Sequence, residues 1–294
     1  MVLAIVSWVL LIVGIILLII RRGTDHRREL EYVGIVCTAL GTVFASVFTC
    51  VALMGNMGYK NDGAYSGAAP MQQNQPWAGK NVLVVGDSVS DLSMHSHPWQ
   101  ETFASALGCT VTTHAKGGAT LLDMIDGNER LPIDPLTQED VAGKNLIILF
   151  GGANDINQGV PFGKVGDTET GTACGNLYYA VNRIYTLLAA ADNISCPVVL
   201  AGYYNSGTEF GKDQSIRQTT ANVAQWLGLP YVDLRGSGIN PATWCLYGQE
   251  DNQHLTTAGN ILIGNQIAKF VENSVSPGLS REVLAIYMPE TLTK

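Results

Sequence analysis

Four short clusters in this 294-residue chain combine residue types that can carry out acyl transfer. Gly86-Asp87-Ser88-Val89-Ser90 supplies a hydroxyl, and Asp251-Asn252-Gln253-His254 supplies a carboxylate three residues ahead of an imidazole. Gly151-Gly152-Ala153-Asn154-Asp155 supplies a side-chain amide, and Ala115-Lys116-Gly117-Gly118-Ala119-Thr120 a pair of glycines. A neutral serine hydroxyl attacks a carbonyl only when a hydrogen-bonded base takes its proton. An Asp that accepts from histidine Nδ1–H leaves Nε2 facing the serine for that task. The negative charge that develops on the carbonyl oxygen needs pre-oriented donors, such as the backbone N–H of a Ser expected at a helix N-terminus where a strand turns into a helix, or the amide of an Asn. Taken singly, each cluster is commonplace: Ser and Asn cap helices, paired glycines make plain turns, and Asp-x-x-His is a frequent solvated turn. Their weight comes from where they fall along the chain.

Short aliphatic or β-branched runs predict strands over 81–85 (NVLVV), 109–113 (CTVTT), 145–150 (NLIILF), 197–201 (PVVLA) and 231–233 (YVD). Amphipathic stretches predict helices over 98–107, 174–191, 214–227 and 257–271, the last capped by Thr256 or Thr257. The alternation implies a mostly parallel sheet with helices on both faces, a three-layer α/β/α domain over residues 80–275. Ligands of such sheets bind outside the carboxyl ends of the strands. The Ser, Gly and Asn clusters follow the first, second and third strands, and the Asp-His cluster precedes the last helix, so all four face one predicted crevice. No G-x-S-x-G occurs, which excludes a nucleophile elbow of the α/β-hydrolase kind.

In the order Ser, Gly, Asn, Asp-His, the chain resembles the SGNH (GDSL-type) hydrolase family over roughly residues 80–275. GDSVS at 86–90, the Gly of AKGGAT, GANDI at 152–156 and DNQHLT at 251–256 carry the resemblance. It implies a flavodoxin-like fold with a five-stranded parallel sheet, and an ester hydrolase that needs no metal or organic cofactor. It further implies Ser88 as nucleophile, His254 as base and then acid, and Asp251 as the group that orients it. Ser88 N–H, Gly118 N–H and the Asn154 side chain would form the oxyanion hole, with Asp87 and Gly152 holding loop shape. Gly118 is preferred over Gly117 because a small residue and then Thr follow it, as in the family's block.

The chain is 47% hydrophobic and 14% charged with mean hydropathy +0.16, and the apolar excess sits at the front. Residues 2–20 and 33–54 carry no charge and each meets the roughly 20 residues of a membrane-spanning helix. They predict a transmembrane hairpin over 1–54. Only Met1 and Val2 precede the first run, whereas a signal peptide carries its positive charge there. The connector, 21–32, holds Arg21, Arg22, Arg27 and Arg28, which makes it cytoplasmic by the positive-inside rule and places the following domain outside the cell membrane. Residues 55–79 read as a flexible linker and 276–294 as a tail. Beyond the hairpin, 13 Lys+Arg against 22 Asp+Glu give a formal charge of −9, which argues against a nucleic acid partner. Oligomeric state is not set by the sequence.

Cys37 and Cys50 lie in the second span, and Cys109, Cys174, Cys196 and Cys245 in the outer domain, where an oxidising compartment permits disulfides in any of three full pairings. A Cys174–Cys245 bridge would brace the site. His95 and His97 lack a spaced third ligand and read as a surface loop near the rim, not a metal site. Tyr203, Tyr204 and Asn205 border the crevice, either as partly buried loop residues or as a wall for an acyl or sugar group. Trp99 and Trp226 are expected to pack helices on the sheet. The Gly-rich stretch 158–175 is long for a connection and suggests a lid or substrate loop. Asn193-Ile194-Ser195 fits a glycosylation sequon. The expected substrate is an acyl ester, O-acetyl included, of a carbohydrate or a lipid. Two alternatives stand: transfer of the acyl group to a polysaccharide hydroxyl by the same residues, and an inactive glycan-binding module.

Overall fold

The computed structural model describes residue 35, residues 76–206 and residues 210–278. Of the two compact units, Met1–Asp62 and Gly63–Lys294, every named strand and helix belongs to the second. The strands are β1 (Asn81–Gly86), β2 (Thr110–Ala115), β3 (Leu146–Phe150), β4 (Val198–Gly202) and β5 (Tyr231–Asp233). The helices are α1 (Trp99–Leu107), α2 (Leu121–Asp126), α3 (Gln138–Val141), α4 (Ala153–Asn157), α5 (Ala173–Ala190), α6 (Phe210–Leu227), α7 (Trp244–Tyr247) and α8 (Thr257–Ser274).

All five strands are parallel, in the order β2-β1-β3-β4-β5, which is a doubly wound sheet with its switch point between β1 and β3. The central strands are aliphatic throughout because helices cover both their faces. Val82, Val84, Ile148 and Phe150 pack under Trp99, Phe103 and Leu107 of α1 and Ile263, Ile267 and Val271 of α8. Leu83, Val85, Ile147 and Leu149 point the other way, to Leu121 and Met124 of α2, Leu177, Val181 and Ile184 of α5, and Val223 of α6. Register fixes where the loops emerge. Gly86 pairs with Ala115 on one side and with Phe150 on the other, so β1, β2 and β3 end level. The Ser, Gly and Asn clusters therefore rise side by side from one edge.

The structure shifts strand and helix ends from the expected positions by up to a few residues, and it adds the short helices α2, α3, α4 and α7. Thr120 and Thr137 start two of these with full capping boxes closed by Asp123 and Asp140. Trp99 is fully buried, but Trp226 is 42% exposed and lies against Tyr178 of α5 with ring centroids 5.5 Å apart. The inward face of α6 is already filled by Val223 and Ala224. The predicted spans 2–20 and 33–54, with the connector and most of the linker, lie outside the described residues apart from Ile35 and residues 76–79. Among the described residues no helix is long and apolar enough to cross a membrane.

Candidate active site

After β1 the chain turns at once around Asp87. Its carbonyl accepts from the N–H of Ser90 and Asp91, and its Oδ1 accepts from Val89 N–H at 3.1 Å. This is a single tight turn followed by a 3-10 turn at Leu92–Met94; α1 begins only at Trp99. Ser88 thus sits on a turn and not at the start of a long helix. Glycine is needed at 86, since a Cβ there would lie 2.8 Å from the Ser90 side chain and 2.9 Å from the Phe150 carbonyl.

The glycine loop after β2 is held by the turn that carries Ser88. Asp91 Oδ2 accepts from Gly117 N–H at 2.9 Å, while Gly118 has φ +84, a left-handed conformation open to glycine. That bond commits the Gly117 N–H; among the described residues no acceptor is bonded to the Gly118 N–H. Gly152, with φ +109, caps α4, and Asn154 stands in its first turn. Asn154 Nδ2 donates to the Ala119 carbonyl at 2.9 Å, which leaves the second amide hydrogen for other use.

Before α8, Asp251 folds its own loop. Oδ1 accepts from the N–H of Gln253 and His254, and Oδ2 lies 2.5 Å from His254 Nδ1. Partial burial works against the Asp251 charge, but the His254 and Gln253 bonds outweigh it and hold the carboxyl below its ordinary range. Since that carboxylate can only accept, Nδ1 carries the proton and Nε2 is the free basic position.

Ser88, Asn154 and His254 line one small cavity of ≈ 40 Å³, with Val89, Ala153, Asn157, Tyr203, Tyr204, Ser206, Ile216 and Gln253. Asp251 stands behind His254, and Gly118 lies outside the lining. The arrangement places a hydroxyl, an amide donor and a carboxylate-held imidazole around one volume.

One neighbour was not legible as a site residue. His95, expected on the surface, is 9% exposed: Nε2 bonds the Ser88 carbonyl at 2.8 Å and Nδ1 lies 3.3 Å from Asn260 Nδ2. The carbonyl only accepts, so Nε2 carries the proton, and burial holds His95 below its usual range. Its sequence partner His97 instead pairs with Glu101 at 3.3 Å. Among the described residues no cluster of His, Cys, Asp and Glu could hold a metal ion. Tyr203 and Tyr204 are buried, with hydroxyls donating to Asp87 Oδ2 and, at 2.6 Å, to the Gln253 carbonyl. Asp87 itself is 1% exposed, and burial pushes its carboxyl up to about 6.

None of the permitted disulfides is formed, the Cys174–Cys245 bridge that would brace the site included: Cys109, Cys174, Cys196 and Cys245 are all free thiols. Cys174 is buried on the α5 side of the sheet, whereas Cys245 is exposed on α7, which packs against α8. Asn193 spends its side-chain amide on the carbonyls of Val141 and Lys144, both at 2.9 Å, so the sequon has a structural use. The 158–175 stretch is pinned at its base, where Ala173 N–H and Cys174 N–H donate to the carbonyls of Pro161 and Phe162.

The model of the GDSL-like Lipase/Acylhydrolase family matches residues 84–261, which spans all four clusters. A protein from Lactobacillus plantarum has a similar structure, with a TM-score of 0.54 and 19% identity, covering 67% of this chain and 98% of that one. A possible lipase from Chitinophaga pinensis gives 0.49 and 16%, covering 65% and 97%, and the lipase/acylhydrolase from Enterococcus faecalis 0.46 and 18%, covering 68% and 100%. At 19% identity the likeness to the Lactobacillus plantarum protein is one of fold. No curated protein matches the chain.

Proposed function

The chain belongs to the GDSL-like lipase/acylhydrolase family and is an ester hydrolase, and from that premise we propose that it is a membrane-anchored, extracytoplasmic serine esterase acting on short acyl esters of a carbohydrate. The observation that carries the catalytic part is the shared cavity of Ser88, Asn154 and His254 with Asp251 on the far side of the imidazole.

In this mechanism His254 Nε2 takes the Ser88 hydroxyl proton as Oγ bonds to the ester carbonyl carbon. The tetrahedral oxyanion accepts hydrogen bonds from Asn154 Nδ2 and the N–H groups of Ser88 and Gly118, each donor contributing on the order of 10²- to 10³-fold in rate. Collapse breaks the carbon–oxygen bond, and His254 gives its proton to the departing alkoxide. A water then attacks the acyl-serine as His254 takes its proton; collapse breaks the acyl–Oγ bond, His254 returns the proton to Ser88 Oγ, and the acid leaves. Asp251 stabilises the imidazolium at both steps without taking its proton.

The cavity is small, which favours a short acyl group over a long chain. The acidic domain favours a neutral, polar leaving group over an anionic lipid surface. The anchor follows from the uncharged runs 2–20 and 33–54 and the four connector arginines.

The test is hydrolysis of an acetyl ester and of an acetylated oligosaccharide by the purified chain. Ser88→Ala and His254→Ala should abolish it, and Asp251→Asn should leave a residual rate. Full activity in Ser88→Ala sinks the reading; acetyl transferred to an added sugar, in place of free acetate, assigns acyl transfer instead.

A further inference from the structure

Tyr203 and Tyr204 are consecutive, yet their hydroxyls reach to opposite sides of the site. Tyr203 Oη donates to the carboxylate of Asp87, the residue before Ser88. Tyr204 Oη donates at 2.6 Å to the carbonyl of Gln253, the residue before His254. The peptide that carries both is held from behind: buried Arg217 of α6 donates through Nη1 to the Tyr203 carbonyl at 3.5 Å and the Tyr204 carbonyl at 3.0 Å. Packing fixes the rings as well, Tyr203 edge-on to Phe150 at 5.1 Å and Tyr204 stacked on Trp244 at 6.2 Å. Phe would satisfy that packing at either position. A buried hydroxyl gives up its hydration unless it is bonded, so the two oxygens are informative chiefly through what they hold.

We propose that Tyr203 and Tyr204 are a positioning pair that sets the distance between nucleophile and base, each hydroxyl fixing the residue before one of them. The proposal rests on the Ser88–His254 reading above. The Asp-His loop keeps its internal shape without Tyr204, because Asp251 bonds the N–H of Gln253 and His254, and Gln249 N–H donates to the His254 carbonyl. What the hydroxyl adds is a tether from that loop to the end of β4. Tyr203 supplies the matching tether to the nucleophile turn. Reacting groups must stand about 3–3.5 Å apart, and a displacement near 1 Å costs on the order of 10²-fold, so relaxing either tether acts on turnover.

The experiment compares wild type, Tyr203→Phe, Tyr204→Phe, the double variant and Ser88→Ala on p-nitrophenyl acetate. Rates are expressed per mole of protein that shows the wild-type cooperative urea-unfolding transition, so that only folded chains are counted. Each single variant should lower kcat by roughly 10- to 100-fold with KM within about twofold. The double variant should lose less than the product of the two, since both changes relax one distance. Single variants with wild-type kcat beside an inactive Ser88→Ala overturn the pairing and leave the nucleophile standing. A rise in KM alone makes the tyrosines pocket walls and overturns it too, as does a fully multiplicative loss. An active Ser88→Ala removes the catalytic reading itself and the pairing with it.

Discussion

Replacing Asp87 by Asn should make the folded domain more stable at neutral pH and less so in acid. Burial pushes the Asp87 carboxyl from 3.8 up to about 6, against the Tyr203 hydroxyl, the Val89 N–H and the nearby His254, which pull it down, while Asp155 adds to the rise. At about 1.36 kcal/mol per pK unit, keeping this group ionised in the fold costs roughly 3 kcal/mol above pH 6. The sign follows from proton binding. Between 3.8 and about 6 the folded state holds more protons than the unfolded chain, so the contribution of Asp87 declines as pH rises through that window and is flat beyond it. Asn does not titrate, but its NH2 replaces one of the two carboxylate oxygens and cannot accept the bond that Val89 N–H or Tyr203 Oη makes there, which returns about 1 kcal/mol of the gain. The variant should therefore exceed wild type by about 2 kcal/mol near pH 7.5 and fall about 0.5 kcal/mol below it near pH 4, where the unfolded carboxyl is already half ionised. Urea unfolding at the two pH values measures the difference. An equal stability difference at both refutes the assignment of a buried, charge-penalised carboxyl.

Asn154→Ala should lower kcat by about 10²- to 10³-fold with KM little changed; an effect confined to KM would make Asn154 a substrate contact. His95→Leu removes the donor to the Ser88 carbonyl and should destabilise the fold by about 1–3 kcal/mol near neutral pH. Because burial holds His95 below its usual range, wild type should also lose stability as pH falls below about 6.5, where the unfolded chain takes up the proton first. The Leu variant should lose less over that window, and identical pH slopes in urea unfolding would contradict this. Gly264→Ala places a Cβ 2.5 Å from the Trp99 carbonyl and should destabilise by about 1–3 kcal/mol by prying α8 from α1; an unchanged unfolding midpoint would refute that close approach.

Much of the fold is legible because it rests on local pattern. The runs NVLVV and NLIILF are buried on both faces, and a strand buried on both faces has few apolar alternatives. The short helices α2 and α3 carried a readable sign, a Thr followed three residues later by an Asp that closes a capping box. Trp226 misleads because a helix's inward face is set by the neighbours that fill it, here Val223 and Ala224. At the site, the clusters after β1, β2 and β3 are legible because level strand ends bring them together. His95 is not, since its Nδ1 partner, Asn260, lies 165 residues away. Tyr203 and Tyr204 are readable as crevice residues from their place after β4. Their hydroxyl partners depend on how two other loops approach, which no local pattern encodes.

A serine-directed fluorophosphonate tests the central claim most directly. Incubated with the folded chain and followed by peptide mass mapping, it should place one adduct on Ser88, lost in Ser88→Ala and strongly slowed in His254→Ala. Folded protein that takes no label at Ser88, or that labels equally in Ser88→Ala, would contradict a serine nucleophile activated by His254.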